Sequence, residues 1–267
     1  MKASLIQYCA TSSVAINLSK LDTLLEQAQQ QANDIIVLPE NFAVLSGKNF
    51  VSAVKDNETI PAIMAWLSSR AKKHNVWILA GSMPAESGLS NKVYTRCLLV
   101  DPNGEIYGHY DKMHLFDADV ADNVGQYRES DYIVPGTQLG LFDLPWGKAG
   151  VAICYDLRFP EYFRSLVQAG VKYVFVPAAF TYTTGEAHWL PLLRARAIEN
   201  QIYILACNQT GTHDTDRQTW GHSSIIDPWG RVVAGLEAEE GVVSWELDIE
   251  YLESVRKQMP VLKHRRL

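Results

Sequence analysis

One cysteine lies where a short apolar run turns towards a helix. The run covers residues 149–153, ends directly before Cys154 and is typical of a buried strand, and Pro160 suits the first turn of the following helix. At such a turn we expect a helix N-terminus and backbone N–H groups to lower the thiol pKa and to favour the nucleophilic thiolate. The pattern is also compatible with a small core residue, because free cysteine is often fully buried.

Two further residues with chemically useful side chains also follow predicted strands. Glu40 comes after the apolar run 35–38 and Pro39, and Lys112 comes directly after the second strand of a predicted hairpin. Active sites of open α/β sheets usually lie at the edge where the strands end. Each residue also has an ordinary interpretation, since most glutamates and lysines are solvated surface residues.

A thiol, a carboxylate and a fixed cation can together hydrolyse an amide. The thiolate of Cys154 would attack the carbonyl carbon, and Glu40 would take the thiol proton and pass it to the leaving nitrogen. Lys112 and the backbone N–H of Tyr155 would stabilise the oxyanion. Water activated by Glu40 would then hydrolyse the thioester.

The elements that must position these residues alternate between strands and helices. The first 80 residues follow a strand, helix, strand, helix, strand order, which is typical of an α/β fold. Predicted hairpins with the turn sequence Asp-Pro-x-Gly, at residues 101–104 and 227–230, follow two such stretches and indicate a two-fold pseudo-repeat. The predicted strands are 3–8, 35–38, 76–80, 94–100, 105–110, 149–153, 171–176, 202–207 and 242–247. The predicted helices are 18–32, 59–74, 160–169 and 187–201, with a further short helix that Met259-Pro260 ends, and the predicted loops include 120–135 and 181–185.

The composition is that of an ordinary globular protein. Of the 267 residues, 47% are hydrophobic and 20% are charged, so we expect a single domain over residues 1–267 with a tail from about 250. The net charge of −6 argues against nucleic acid or an acidic membrane surface as a partner. No apolar run is long enough for a membrane span, and Gln7 interrupts the apolar start, which is typical of a strand rather than a signal peptide.

Cysteine usage and missing motifs narrow the chemistry. The four cysteines show no C-x-x-C spacing, which favours reduced thiols in the cytoplasm over a disulfide framework or a zinc site. His114, His188 and His222 are isolated, which disfavours a metal hydrolase. Neither G-x-S-x-G nor G-x-G-x-x-G nor a P-loop occurs. A non-catalytic interaction protein remains an alternative, because a sequence does not show whether the site is assembled.

Three motifs, in this order, resemble the Glu-Lys-Cys signature of the nitrilase superfamily of carbon–nitrogen hydrolases. They are LPEN around Glu40, YDKMHLFD around Lys112 and GVAICYDLRFPE around Cys154, and the similarity covers essentially the whole chain. The resemblance implies a single αββα sandwich, commonly paired as an αββα–αββα homodimer, with a small-molecule amide substrate and no metal or organic cofactor. It also implies a second glutamate that positions the base or the substrate, and Glu129 matches that position.

Other segments indicate a branch of this family. Cys154 is followed by Tyr-Asp, where nitrilases typically have Trp-Glu, so nitrile hydrolysis is disfavoured. The segments TTGEAHWLPLLRARAIENQ, TWGHSSIIDPWGRVVA and PVLKHRR resemble amidases that cleave deaminated glutathione to 2-oxoglutarate and cysteinylglycine. The similar ω-amidases, which act on α-ketoglutaramate, are the alternative. Residues 119–126, which lead to Glu129, depart from the family pattern because they lack the usual Pro-Gly and carry an extra residue.

Both of these substrates carry carboxylates, for which a guanidinium is a suitable bidentate partner. Arg158, four residues after Cys154, is our candidate, and the alternative is a salt bridge at the start of the helix. Phe180, which directly precedes the predicted loop at 181–185, and Thr184, which lies within it, are candidates for lining the pocket. Aromatic loop residues, however, serve more often in packing.

Overall fold

A computed structural model describes residues 1–45 and 49–266. In chain order the strands are β1 (Lys2–Gln7), β2 (Ile35–Val37), β3 (Trp77–Glu86), β4 (Val93–Val100), β5 (Ile106–Asp111), β6 (Asp117–Asp119), β7 (Gln126–Arg128), β8 (Gly140–Leu144), β9 (Gly147–Val151), β10 (Tyr173–Ala178), β11 (Tyr203–Asn208), β12 (Thr210–Thr212), β13 (Gln218–Trp220), β14 (Ser224–Ile226), β15 (Val232–Gly235) and β16 (Gly241–Glu246). The helices are α1 (Val14–Gln29), α2 (Phe50–Lys55), α3 (Thr59–His74), α4 (Pro160–Gln168), α5 (Tyr182–Asn200), α6 (Ile249–Gln258) and α7 (Val261–His264). Short 3₁₀ turns occupy Glu129–Asp131 and Cys154–Arg158.

Two six-stranded sheets carry the fold. The first has the order β16-β1-β2-β3-β4-β5 and the second the order β15-β14-β11-β10-β9-β8. In each sheet the three central strands run parallel, as expected for strands joined through helices, and the outer strands pair antiparallel. The short strands form two ribbons, β6 with β7 and β12 with β13.

Alternating side chains on the central strands explain the layered arrangement. Along β2, the fully buried Ile35 and Val37 belong to the core between the sheets, whereas Ile36 belongs to a separate core with Leu21 of α1 and Ile63 of α3. A strand with both faces covered needs apolar residues at every position. Each such buried side chain contributes roughly 1.5–3 kcal/mol relative to exposure. Helices on the outside of two stacked sheets confirm the predicted α/β sandwich.

Both predicted hairpins are confirmed, together with their turns. Gly104 N–H donates to the carbonyl of Asp101 at 2.8 Å, and Gly230 N–H donates to that of Asp227 at 2.9 Å. The two glycines have φ values of +74° and +87°, a region that side-chain-bearing residues rarely adopt. The hairpins therefore depend on glycine at the fourth turn position.

Several local predictions are wrong. Helix α2 and strand β8 were not predicted, and the expected loop at 120–135 contains strand β7 and a 3₁₀ turn. The expected loop at 181–185 belongs to α5, which begins at Tyr182. Its Gly185 weakens the helical signal, but a side chain there would lie 2.3 Å from Cβ of Trp220, so close packing requires glycine. The short helix expected to end at Met259-Pro260, by contrast, is present as α6, which buries Leu252 and Val255.

Candidate active site

Cys154 occupies the predicted strand-to-helix turn. Strand β9 ends three residues earlier, Cys154 opens the 3₁₀ turn, and α4 starts with Pro160 at its first position. The Cys154 backbone has φ = +47°, in the left-handed region that a non-glycine residue adopts at a cost of about 1–3 kcal/mol. Such strain persists where the surrounding structure holds a residue in place, and it directs this side chain into the pocket described below.

The fully buried Asp156 holds this turn in position. Its carboxylate accepts hydrogen bonds from Ile153 N at 2.8 Å and Tyr110 Oη at 2.7 Å. It also contacts the backbone N of His114 at 3.0 Å and the ring Nδ1 of His114 at 2.7 Å. Tyr110 and His114 flank Lys112 in the chain, so one carboxylate connects the cysteine turn to the segment that carries the lysine.

Glu40 is buried at the end of β2 and is held from the second sheet. Its Oε2 accepts the backbone N–H of Ala179 at 2.8 Å, and its Oε1 lies 2.8 Å from Nζ of Lys112. Its own carbonyl accepts a hydrogen bond from Nε2 of Gln209 at 3.0 Å. Only 2% of Glu40 is exposed, which rules out the interpretation as a solvated loop carboxylate.

Lys112 bridges two carboxylates. Its ammonium contacts Glu40 and, at 2.9 and 3.0 Å, both carboxylate oxygens of Glu129. Glu129 Oε2 also accepts the backbone N–H of Phe116 at 2.9 Å. Burial tends to lower the lysine pKa, but the charges of Glu129 and Glu40 outweigh it and raise the pKa of Lys112 well above its usual value. Lys112 is therefore a fixed cation, and the unusual loop before Glu129 does not separate the two residues.

The expected low thiol pKa is wrong. Burial raises the pKa of Cys154, the nearby charge of Glu40 raises it further, and Lys112 and the Ala179 N–H only partly oppose this. For Glu40, burial tends to raise the pKa, but Lys112 and Arg217 outweigh it and hold the pKa below its usual value. In the resting site the thiol is therefore protonated and the adjacent carboxylate is ionised, which is the pairing a general base requires.

A pocket opens above these groups, with about 290 Å³ of empty space that includes open solvent. Seven of the eight predicted site residues line it, and Lys112 lies behind them with 1% of its surface exposed. The seven are Glu40, Glu129, Cys154, Tyr155, Arg158, Phe180 and Thr184.

The predicted substrate-binding residues form one wall of this pocket. The guanidinium of Arg158 lies 5.0 Å from the ring centroid of Phe180 and 5.8 Å from that of Tyr155. Its Nη1 is 3.3 Å from Nδ1 of His188, and it has no carboxylate within 4.0 Å among the described residues, so the salt-bridge interpretation is wrong. Thr184 hydrogen-bonds Thr181 at 2.7 Å.

Arg217 also lines the pocket and was not predicted. It directly precedes β13, donates through Nη2 to the carbonyl of Ala179, and stacks 5.6 Å from the ring centroid of Tyr127. Locally its segment, HDTDRQ, has the composition of a surface turn, so no local signal distinguishes Arg217 from a solvated arginine.

Metal sites and membrane spans are two further features that bear on function. Within residues 1–45 and 49–266, no group of three or more His, Cys, Asp or Glu side chains is arranged to hold a metal ion. Over the same ranges, none of the helices has the length and apolar character needed to cross a membrane. The four cysteines are free thiols, and Cys9 is the most accessible of them.

Comparison with known proteins identifies the family. Residues 2–257 match the carbon-nitrogen hydrolase family. A deaminated glutathione amidase of Yersinia enterocolitica is 38% identical over 264 residues, covering 98% of this chain and 92% of the relative. An omega-amidase NIT2 of Danio rerio is 37% identical over 266 residues, covering 99% and 94% respectively. The chain belongs to the carbon–nitrogen hydrolase family, which confirms the resemblance carried by the three motifs.

Solved structures confirm the nitrilase-type fold. The Caenorhabditis elegans NitFhit protein superposes with a TM-score of 0.91 at 33% identity, over 99% of this chain and 65% of that longer chain. Saccharomyces cerevisiae Nit3, described as a member of branch 10 of the nitrilase superfamily, gives a TM-score of 0.89 at 30% identity, over 100% and 97% respectively. The sandwich described above is thus the fold of that superfamily.

Proposed function

We propose that this enzyme hydrolyses the amide of a small, carboxylate-bearing substrate through a thioester on Cys154. Deaminated glutathione is the proposed substrate, with 2-oxoglutarate and cysteinylglycine as products. The observation that carries the proposal is the buried cluster in which Lys112 bridges Glu40 and Glu129 beside a protonated thiol. Burying charged groups costs free energy even when they are paired, so a cluster of this kind is more readily explained by function than by stability.

The first chemical step forms the thioester. Glu40 takes the proton of the Cys154 thiol while Sγ attacks the amide carbon, so that charge develops on the former carbonyl oxygen. The charge of Lys112 and the backbone N–H of Tyr155 stabilise this oxyanion. Tyr155 lies in the first turn of the 3₁₀ helix, where N–H groups have no partner within the helix. Glu40 then protonates the leaving nitrogen as the carbon–nitrogen bond breaks.

The second step releases the acid. Water enters where the amine has left, Glu40 takes one of its protons, and the resulting hydroxide attacks the thioester carbon. The carbon–sulfur bond then breaks, and the proton held by Glu40 returns to the sulfur of Cys154. Glu129 contacts Lys112 rather than the thiol, so its proposed role is to hold the lysine and, through it, the base.

Similarity to relatives supports two substrates that share an acyl group. Proteins named deaminated glutathione amidase and omega-amidase both match at 36–39% identity. Both candidate substrates give the same thioester, because both carry the 2-oxoglutaryl group. Omega-amidase activity on α-ketoglutaramate is therefore the second candidate function, and the two differ in the leaving group alone.

Release of 2-oxoglutarate from each substrate tests the proposal with one common readout. The Cys154→Ala variant is the blank. Higher kcat/KM on deaminated glutathione would support the first function, and higher kcat/KM on α-ketoglutaramate would support the second. If neither is hydrolysed, while a thiol probe labels Cys154 no faster than Cys9, the non-catalytic alternative gains support.

The setting of the enzyme is also proposed. Four free thiols agree with a reducing cytoplasm, and the family resemblance implies a homodimer. Light scattering of the purified protein tests the dimer, and a monomer would contradict it.

A further inference from the structure

The pocket contains two arginines on different walls. Arg158 belongs to the 3₁₀ turn that starts at Cys154, whereas Arg217 comes from the β12–β13 ribbon. Both line the pocket, and neither has a carboxylate within 4.0 Å among the residues that the structure describes. Guanidinium groups in a partly closed site ordinarily pair with anions.

Arg217 has hydrogen-bonding capacity that the protein leaves unused. Its Nη2 donates to the carbonyl of Ala179. Its Nε is buried, and no acceptor for it occurs among the described residues. A buried donor without a partner costs about 1–3 kcal/mol. An anionic ligand in the pocket would supply the missing acceptor.

The two arginines have different neighbours in the pocket. Arg158 lies four residues after the nucleophile Cys154 in the chain and packs between Tyr155 and Phe180. Arg217 instead lies on the side of the base, since it binds the carbonyl of Ala179, whose N–H holds Glu40. Its charge also acts on Glu40 and helps to lower the pKa of that carboxyl. In the proposed mechanism Glu40 protonates the leaving nitrogen, so Arg217 borders the leaving group.

The two candidate substrates differ on that side. Deaminated glutathione carries a carboxylate on its acyl part and a second one at the end of its cysteinylglycine part, whereas α-ketoglutaramate carries only the first. The second carboxylate lies two residues from the scissile bond, about 7 Å in an extended chain. From the geometry we infer that Arg217 binds the carboxylate of the leaving group and selects amides that release a carboxylate-bearing amine. This inference rests on the proposed function and names its specificity residue.

Arg217→Gln tests this selection against both substrates. We expect the ratio of kcat/KM on deaminated glutathione to kcat/KM on α-ketoglutaramate to fall about 30- to 100-fold, because a charge-assisted hydrogen bond to the leaving group is lost, whereas any effect through Glu40 applies to both substrates. Arg158→Gln should lower both. Arg231→Gln, at an exposed arginine of the second hairpin turn, is the matched control. An equal loss on both substrates for Arg217→Gln would overturn the inference and show a structural role through Ala179.

A change in the substrate sharpens the test. Deaminated glutathione with its terminal carboxylate converted to a carboxamide should be a poorer substrate of the unmodified enzyme by the same factor. Arg217→Gln should then cause little further loss on this carboxamide. A full second loss would show that the carboxylate and Arg217 do not interact.

Binding separates this inference from the proposed function. The Kd of deaminated glutathione for Cys154→Ala should rise when Arg217→Gln is added, and the Kd of the carboxamide should not. This holds whether or not the enzyme turns the compound over at a useful rate. Equal Kd values for the acid and the carboxamide would overturn the role of Arg217 even in an active enzyme.

Discussion

The two sheets share one topology but contribute different chemistry. In both, an outer strand pairs antiparallel with the first of three parallel strands, and a hairpin follows on the other side. Register aligns them by position. Ile35 pairs with Ala3 and Trp77 in the first sheet, as Tyr173 pairs with Ala149 and Tyr203 in the second. The predicted two-fold pseudo-repeat is therefore present in the strand order.

Supporting residues recur at aligned positions. Strand residues of the two sheets are aligned by matching Ala3, Ile35 and Trp77 with Ala149, Tyr173 and Tyr203. Counting along the chain from Ile35 and Tyr173, Pro39 corresponds to Pro177 and Phe42 to Phe180. The Asp-Pro-x-Gly turns at 101–104 and 227–230 also fall at the same distance from the third parallel strand. These residues end strands and shape turns, which both sheets need equally.

The catalytic candidates do not recur. Glu40 corresponds to Ala178 in the second sheet, and Cys154 corresponds to Tyr8 in the first. The base thus comes from one sheet and the nucleophile from the other, and the Ala179 N–H of the second sheet holds the base of the first. A repeated scaffold therefore supplies equivalent strand ends in both sheets, while the site exists only where the strand ends of the two sheets meet.

The largest expected effect is the difference between substitutions at the aligned residues Cys154 and Tyr8. Cys154→Ala should lower kcat by about 10⁴- to 10⁶-fold, since it removes the nucleophile. Tyr8→Phe should leave kcat within about 3-fold and cost about 1 kcal/mol of unfolding free energy, because only its hydrogen bond to the Phe42 carbonyl is lost. Steady-state kinetics and thermal unfolding check both. Loss of turnover in Tyr8→Phe would contradict the conclusion that Cys154 is catalytic whereas its aligned residue Tyr8 is not.

Glu40→Gln should cost about 10²- to 10⁴-fold in kcat/KM, because the base is lost. In the unmodified enzyme the active form has ionised Glu40, whose pKa is lowered by Lys112 and Arg217. We therefore expect kcat/KM to be flat at neutral pH and to fall only when the pH drops through that pKa, below the ordinary range of a glutamate. Glu129→Gln, which removes a contact to Lys112 but no proton acceptor, should cost less. A kcat/KM that falls between pH 7 and 5 would contradict this assignment.

Asp156→Asn should lower kcat about 10- to 100-fold with a smaller change in KM, because the cysteine turn and the segment around Lys112 would shift relative to each other. Aspartate accepts Ile153 N–H and Tyr110 Oη on one oxygen and the backbone N–H of His114 on the other. Asparagine has a single acceptor oxygen, so its NH2 group must replace one of the two and cannot accept the bonds made there. The rate of Cys154 alkylation reports the same displacement without substrate. Asp156 corresponds to Ala10 in the first sheet, where no such link is needed, and an unchanged kcat would show that the link does not position the thiol.

The smallest effect on activity is expected at the two aligned turn glycines. Gly104→Ala and Gly230→Ala should each cost about 1–3 kcal/mol and leave kcat unchanged, because both positions need a positive φ. Gly104→Ala should cost more, since its new Cβ would meet the Ser68 carbonyl at 2.6 Å, whereas at Gly230 the neighbour is the side chain of Ile198 at 2.5 Å. Differential scanning calorimetry gives the order, and the reverse order would contradict it.

Much of the fold follows from local patterns. Helix α3 begins and ends at the predicted residues, because its apolar spacing and early proline are local features. The ribbon of β12 and β13 and the start of α5 were not predicted, since they pack against each other through residues far apart in the chain, such as Trp220 of β13 and Gly185 of α5. Arg217 lies at the edge of that ribbon, so its place in the pocket could not be read from its neighbours in the chain.

What the sequence by itself determined is the set of reactive residues at strand ends. Glu40 and Cys154 follow apolar runs and Lys112 follows the second strand of a hairpin, and the ends of these elements are local signals. The tertiary structure alone decided their ionisation, because the pKa of a group depends on burial and on charges brought close in space. Lys112 and Glu40 are 72 residues apart in the chain and 2.8 Å apart in the fold. Burial and the charge of Glu40 raise the pKa of Cys154, so the cysteine is a protonated thiol beside a base rather than the thiolate expected from its turn.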